Sequence, residues 1–152
     1  MVSVSQPLSP VAESFRSLRT SLQFVRQERA LRTVVVTSPA ADEGKTAMVA
    51  NLGAVFAQAG ERVVLVSCDL RRPRLARFFG LDEQTGLTAV LLGERSLDEV
   101  VRPVSGHETL WLLGAGQVPA NPAELLTGPA AREVFAALRA QFDNGTRHAR
   151  RQ

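Results

Sequence analysis

One segment near the start of the chain places a short β-branched run, a loop and an amphipathic helix in direct succession. The run Arg32–Thr37, RTVVVT, predicts a buried strand. Residues 38–44 form the loop, and residues 45–59 predict a helix that Gly60 ends. A second buried strand follows at residues 62–66, RVVLV. This βαβ unit requires parallel strands with a right-handed crossover. The predicted fold class is therefore α/β, with a mainly parallel sheet flanked by helices.

The remaining elements are predicted from periodicity and capping residues. Residues 11–30 have helical spacing after a Ser9-Pro10 cap. Two short helices are predicted at 85–92 and 97–101, a third strand at 109–113, and two further helices at 122–126 and 129–141.

Length and composition favour one globular domain. The chain has 152 residues, of which 45% are hydrophobic and 22% charged. It has neither an apolar run of about 20 residues nor an apolar signal-peptide core, so we expect a soluble, cytoplasmic chain. The net charge of +3 is concentrated in the last few residues, so we expect no nucleic-acid binding.

The loop between the first strand and its helix carries groups suited to a phosphate. Free backbone amides and a partial positive charge are expected at the helix start. Gly44 allows close approach of the backbone, Lys45 is a cation that can reach phosphate oxygens, and the Thr46 hydroxyl can bind Mg²⁺. Of the 18 lysines and arginines, only Lys45 is a lysine. The predicted nucleotide-binding residues are Ser38, Ala41, Asp42, Glu43, Gly44, Lys45, Thr46 and Ala47.

Two features leave alternatives open. The loop has Pro39 where the strict G-x-x-x-x-G-K-[ST] pattern has its first glycine, so a simple helix start containing Gly-Lys-Thr is the alternative to a phosphate site. Asp69 ends the second buried strand, at the sheet edge where open parallel sheets bind ligands. It is a candidate Mg²⁺ ligand or proton acceptor, with a turn-forming aspartate as the alternative.

Several stretches together resemble the bacterial tyrosine kinases of capsule and exopolysaccharide export, which share the scaffold of the MinD/ParA P-loop ATPases. In chain order, the similar stretches are Glu13–Arg19 (E-x-x-R-x-x-R), Ser38–Thr46, Ser67–Pro73 (ending Asp-Leu-Arg-Arg-Pro), Gly86–Glu94 and Leu112–Leu126. The resemblance runs in the same order from about residue 9 to residue 143.

The resemblance implies a P-loop NTPase-like fold and transfer of the γ-phosphate of ATP to protein tyrosine. It implies ATP and Mg²⁺ as cofactors, Lys45 and Asp69 as catalytic residues, and Thr46 and Asp69 as metal ligands. It also implies a homo-oligomer assembled through Glu13, Arg16 and Arg19. The expected partner is the cytoplasmic tail of a polysaccharide co-polymerase-type membrane activator, which would place the domain at the inner face of the membrane. The chain contains no tyrosine, so the substrate tyrosine is expected on another chain.

The sequence also departs from the family pattern. Ser67 stands where the family has a first aspartate, and the apolar strand ending Asp-[Ser/Thr]-Pro-Pro, expected after residue 143, is replaced by a basic tail at 144–152. We expect a partial nucleotide-binding domain at 31–143 after an oligomerisation helix at 1–30, with a tail from a frameshift or truncated gene. We also expect an unpaired edge beside the loop-bearing strand.

Two other functions remain open at this point. One is a MinD/ParA-like switch ATPase, although residues 39–43 lack the additional lysine of such switches and Glu13–Arg19 favours the kinase. The other is a non-catalytic remnant that only binds sister subunits.

Overall fold

The computed structural model describes residues 5–6, 8–29, 32–40 and 42–143; Ala41 and the tail at 144–152 lie outside them. The helices are α1 (Pro10–Arg29), α2 (Lys45–Gln58), α3 (Leu75–Phe78), α4 (Leu87–Leu91), α5 (Leu97–Val100), α6 (Pro122–Thr127) and α7 (Pro129–Asp143). The strands are β1 (Val63–Val66), β2 (Arg102–Pro103) and β3 (Leu110–Leu113). Every helix predicted from the sequence is present, whereas α3 and β2 were not predicted.

Local chemistry explains where the two long N-terminal helices begin and end. The Ser9 hydroxyl accepts a hydrogen bond from the Ala12 amide at 3.2 Å, which is the predicted cap of α1. At the end of α2, the Glu61 amide donates to the Phe56 carbonyl at 3.2 Å. The Gly60 amide donates to the Ala57 carbonyl at 2.9 Å, and Gly60 has φ of 82°. This is a Schellman motif, so Gly60 ends the helix as predicted.

The strands form a small mixed sheet in the order β1-β3-β2. The Val63 amide donates to the Thr109 carbonyl, and the Ser67 amide to the Leu113 carbonyl, each at 2.9 Å. Both partners advance by the same number of residues, so β1 and β3 run parallel. The short connection from β2 to β3 permits only an antiparallel pair.

The predicted buried strand at Arg32–Thr37 is wrong. The structure has no strand there, and the side chains of Val34 and Val35 are 48% and 82% exposed. A β-branched run favours extended backbone, but it becomes a buried strand only when neighbouring strands bond to it and cover it. None of the described strands pairs with this segment. The expected unpaired edge presupposed a strand at this position, so it stays untested.

The chain divides into two compact units, which we describe separately. One comprises Met1–Leu65 and Pro103–Leu110, and the other Val66–Arg102 and Trp111–Gln152. In the first, α1 packs on α2, and Gly53 of α2 lies so close to Leu65 that an added Cβ would be 2.5 Å from Leu65 Cδ2. Its buried apolar residues are Ala12, Ala50, Leu52, Ala54, Val55, Ala57, Leu65, Val104 and Leu110.

In the second unit, α7 packs on α4 and α6. The start of α4 also contacts the loop after β3, because the Leu87 amide donates to the Gly114 carbonyl at 2.8 Å. An added Cβ on Gly86 would be 2.2 Å from that carbonyl oxygen, so this approach requires glycine. The buried apolar residues here are Leu70, Leu75, Ala76, Leu87, Leu91, Val100, Leu112, Leu113, Ala115, Ala131, Val134 and Leu138. No helix in the described part of the chain has the length and apolar character needed to cross a bilayer.

Candidate functional site

The predicted phosphate loop closes on its own lysine. Lys45 is the first residue of α2, and its ammonium group donates to the Ser38 hydroxyl at 2.7 Å and to the Ala40 carbonyl at 3.1 Å. The Ser38 hydroxyl in turn donates to the Ala40 carbonyl at 2.9 Å. Three groups separated along the chain therefore meet at one point. The only lysine of the chain lies against loop oxygens, where it can exchange these partners for those of an anion.

The backbone of the loop adopts conformations that few residues accept. Gly44 has φ of 87° and ψ of 13°, and Asp42 has φ of 61°. The Glu43 carboxylate accepts a hydrogen bond from the Ala40 amide at 3.3 Å. A Cβ added to Gly44 would meet nothing within 4 Å, so glycine is required here by the left-handed conformation and not by crowding. The space beside Gly44 is therefore open to a ligand.

The start of α2 offers unused hydrogen-bond donors. Among the described residues no side chain caps the helix, and the first helical bond is from the Met48 amide to the Gly44 carbonyl at 2.8 Å. The amides of Lys45, Thr46 and Ala47 donate to no described residue. Free amides at a helix start, with the positive end of the helix dipole, form an anion-binding site.

The structure brings most of the predicted loop residues together. Ser38, Lys45, Thr46 and Ala47 are half-buried, Asp42, Glu43 and Gly44 are exposed, and Ala41 lies outside the described residues. Sequence reasoning missed Ala40, whose carbonyl and amide both bond within the loop. Backbone groups have no side-chain signature, so no sequence signal marked this residue.

Asp69 lies in the second unit, three residues after the end of β1, and is exposed. Its Oδ1 atom accepts hydrogen bonds from the Arg72 amide at 3.0 Å and from the Arg71 amide at 3.3 Å. The turn-forming alternative is thus observed, and it leaves metal binding untested. No described group of three or more His, Cys, Asp or Glu residues could hold a metal. A Mg²⁺ ion bound to nucleotide phosphates needs only one or two protein ligands.

The three residues predicted for oligomerisation differ in their contacts. Glu13 and Arg16 form an ion pair at 2.8 Å within α1. Arg19 is half-buried and donates to the Val55 carbonyl in the last turn of α2 at 3.0 Å. Arg19 therefore joins α1 to α2 within one chain, in addition to any subunit contact.

Known proteins resemble this chain in both sequence and fold. Residues 34–144 match the CobQ/CobB/MinD/ParA nucleotide binding domain. The chain is 36% identical over 143 residues to the tyrosine-protein kinase YwqD of Bacillus subtilis, an overlap of 94% of this chain and 60% of YwqD. It thus spans less than two thirds of that relative.

Two solved structures agree with this result. The kinase domain of the Escherichia coli tyrosine kinase ETK superimposes with a TM-score of 0.87 and 32% identity, covering 93% of this chain and 55% of that one. The septum site-determining protein MinD of Pyrococcus horikoshii, complexed with Mg-ADP, has a TM-score of 0.59 and 26% identity over 70% of this chain and 44% of MinD. The P-loop NTPase-like fold and the resemblance to bacterial tyrosine kinases are confirmed, and the chain belongs to the CobQ/CobB/MinD/ParA family of nucleotide-binding domains.

Proposed function

We propose that this chain is the Mg-ATP-binding part of a bacterial tyrosine kinase of exopolysaccharide or capsule biosynthesis, which transfers the ATP γ-phosphate to a tyrosine of another chain. The observation that carries the proposal is the Lys45 ammonium group, held 2.7 Å from Ser38 Oγ at the start of a helix that no described side chain caps. A single cation and a row of free amides suit a triphosphate, which spreads negative charge over several oxygens.

The residues of the loop fit a nucleotide. The amides of Lys45, Thr46 and Ala47 would donate to phosphate oxygens. The Lys45 ammonium group would leave its two loop acceptors, on Ser38 and Ala40, and would donate to the same anion. The half-buried Thr46 hydroxyl has no hydrogen bond to a described residue, so its oxygen is available to Mg²⁺. Mg²⁺, when bound, neutralises charge on the β- and γ-phosphates. The MinD structure with Mg-ADP supports a magnesium nucleotide as the ligand class.

We assign Asp69 two roles, as the second protein ligand of Mg²⁺ and as proton acceptor for the tyrosine hydroxyl. Only its Oδ1 atom has described hydrogen bonds, from two backbone amides, so Oδ2 has no described partner and can face a ligand. Ser67 has no carboxylate to share the metal charge. Losing one charge-stabilising group can slow such a reaction about 10²–10³-fold, so we expect slow turnover from this chain.

The test is Mg-ATP binding by calorimetry, together with transfer of labelled phosphate to a tyrosine-containing polymer, for the wild type and Lys45→Met. We expect the wild type to bind Mg-ATP and to label the polymer slowly, and the variant to bind Mg-ATP about tenfold or more weakly and to lose labelling. ATP hydrolysis without labelling would favour a switch ATPase. Binding without hydrolysis or labelling would favour the non-catalytic remnant, and absence of binding would contradict both the kinase and the switch.

We further propose that the kinase forms a homo-oligomer through α1 and is activated by a membrane partner of the polysaccharide co-polymerase type, so that it acts at the cytoplasmic face of the membrane. The exposed Glu13 carboxylate and the neighbouring Arg16 lie on the α1 surface, where a second copy can reach them. Sedimentation of the wild type and of Glu13→Gln tests assembly. A monomeric wild type would contradict it.

A further inference from the structure

Three arginines on the segment after β1 have side chains without a partner among the described residues. Arg71, Arg72 and Arg77 are exposed, and their side chains make no hydrogen bond or ion pair with a described residue. Other arginines of the chain are held by carboxylates, namely Arg16 by Glu13, Arg26 by Glu61, Arg95 by Glu99 and Arg102 by Asp82. The three unpaired guanidinium groups, which we call the arginine surface, are therefore available to an external anion.

The backbone that carries this surface is fixed by Asp69. Its Oδ1 atom accepts from the amides of Arg71 and Arg72, so both side chains leave a turn closed by the proposed proton acceptor. Leu70, which lies between Asp69 and Arg71, is 1% exposed and anchors the turn in the core. The arginine surface thus begins two residues from the group that would meet the tyrosine hydroxyl.

Guanidinium groups favour carboxylates, because their planar fork can donate two parallel hydrogen bonds to one carboxylate. In an extended peptide, successive residues are about 3.3 Å apart. A peptide whose tyrosine reaches Asp69 would therefore bring its neighbouring residues past Arg71 and Arg72. We propose that the arginine surface binds acidic residues flanking the substrate tyrosine. This inference rests on the proposed kinase function and adds its substrate class.

The surroundings favour a peptide over a bilayer or a nucleic acid. Asp69 is an exposed carboxylate on the turn that carries Arg71 and Arg72. A continuous polyanion would be repelled by it, whereas a peptide presents single carboxylates at discrete positions. The chain as a whole also carries a net charge of only +3, so its long-range attraction for a polyanion is weak.

The experiment measures fluorescence anisotropy of two labelled peptides on the full 152-residue chain: a tyrosine flanked by glutamates, and the same peptide with glutamines. We expect the wild type to prefer the glutamate peptide and the preference to fall with added salt. The double variant Arg71→Gln/Arg72→Gln should weaken glutamate-peptide binding about fivefold or more. The matched control is Arg32→Gln/Arg132→Gln, which removes the same charge from two other exposed arginines without a described partner and should bind like the wild type.

Three outcomes overturn the inference. The first is a wild type without preference for the glutamate peptide, and the second is an equal loss of peptide binding in the control variant. The third comes from a parallel measurement with phosphatidylglycerol vesicles, if the double variant loses vesicle binding while its peptide binding is unchanged. Thermal melting of each variant shows that it is folded. Mg-ATP binding by the same preparations separates the two proposals. Loss of glutamate preference with Mg-ATP binding intact contradicts only the substrate class, whereas glutamate preference without Mg-ATP binding contradicts only the kinase.

Discussion

The Lys45 ammonium group and the Ser38 hydroxyl are 2.7 Å apart, although the two residues are seven positions apart along the chain. Ser38 ends the extended segment before the loop and Lys45 begins α2, so this contact closes the loop across its mouth. The Ala40 carbonyl is the second acceptor of the ammonium group, at 3.1 Å. A phosphate bound by Lys45 would therefore replace two neutral oxygen acceptors, which an anion can do because attraction between opposite charges adds to the hydrogen bond.

Replacing Lys45 by methionine should raise the Kd for Mg-ATP about tenfold or more, since a hydrogen bond to a charged group contributes about 1.5–3 kcal/mol. The melting temperature should change little, because the side chain is half-buried and its hydrogen bonds to described residues go to two loop oxygens. Calorimetric titration with Mg-ATP gives the Kd of the wild type and that of the variant. Arg132→Met, which removes an exposed charge on α7, is the control, and an equal loss there would refute a specific role for Lys45.

Substitution of two glycines with similar φ angles can separate an effect on stability from an effect on Mg-ATP binding. Gly44 and Gly93 have φ of 87° and 73°, and an added Cβ would meet nothing within 4 Å at either position. Alanine at each should lower the free energy of unfolding by about 1 kcal/mol, because the left-handed conformation is strained for a residue with a Cβ. Only Gly44→Ala should also weaken Mg-ATP binding. Equal affinities of the two variants would contradict a phosphate role for the loop backbone.

The exposure of the segment at residues 32–37 can be tested by mutation. Val35→Ser should change the free energy of unfolding by less than about 0.5 kcal/mol, because the side chain is 82% exposed. Leu112→Ala, in β3 and 1% exposed, should cost about 2–5 kcal/mol. Urea denaturation of both variants gives the comparison. A cost for Val35→Ser as large as that for Leu112→Ala would mean that the segment is buried in solution.

Acid should weaken the attachment of α1. Burial alone would raise the pKa of Glu61, but hydrogen bonds from Gln23 and Arg26 outweigh it, so the pKa of Glu61 lies below its usual value. A lowered pKa means that the carboxylate stabilises the fold above its unfolded pKa of about 4.3, and that this contribution disappears as the pH falls through the lower, folded value.

The melting temperature of the wild type should therefore fall more steeply than that of Glu61→Gln between about pH 5 and pH 3. Arg26→Gln should remove part of the same dependence, because it deletes one of the groups that lower the pKa. Parallel slopes for the wild type and Glu61→Gln would show that other carboxylates control acid unfolding.

Local sequence signals predicted the elements whose ends depend on neighbours in the chain. The Ser9 cap of α1 and the Gly60 end of α2 each need only residues within one or two helical turns. β3 was also found, because its apolar run is both buried and paired. The two-residue strand β2 was missed, since it exists only through its pairing with β3.

The sequence by itself predicted the loop at Ser38–Thr46 as a candidate phosphate site, because Gly44, Lys45 and Thr46 lie at a helix start whose chemistry is set by adjacent residues. Only the tertiary structure decided which residues the lysine meets, that Arg19 bonds to Val55 in its own chain, and that Val34 and Val35 stay exposed. The reason is physical: a helix satisfies its hydrogen bonds within one segment, whereas a strand or a long-range contact depends on partners that its own sequence does not specify.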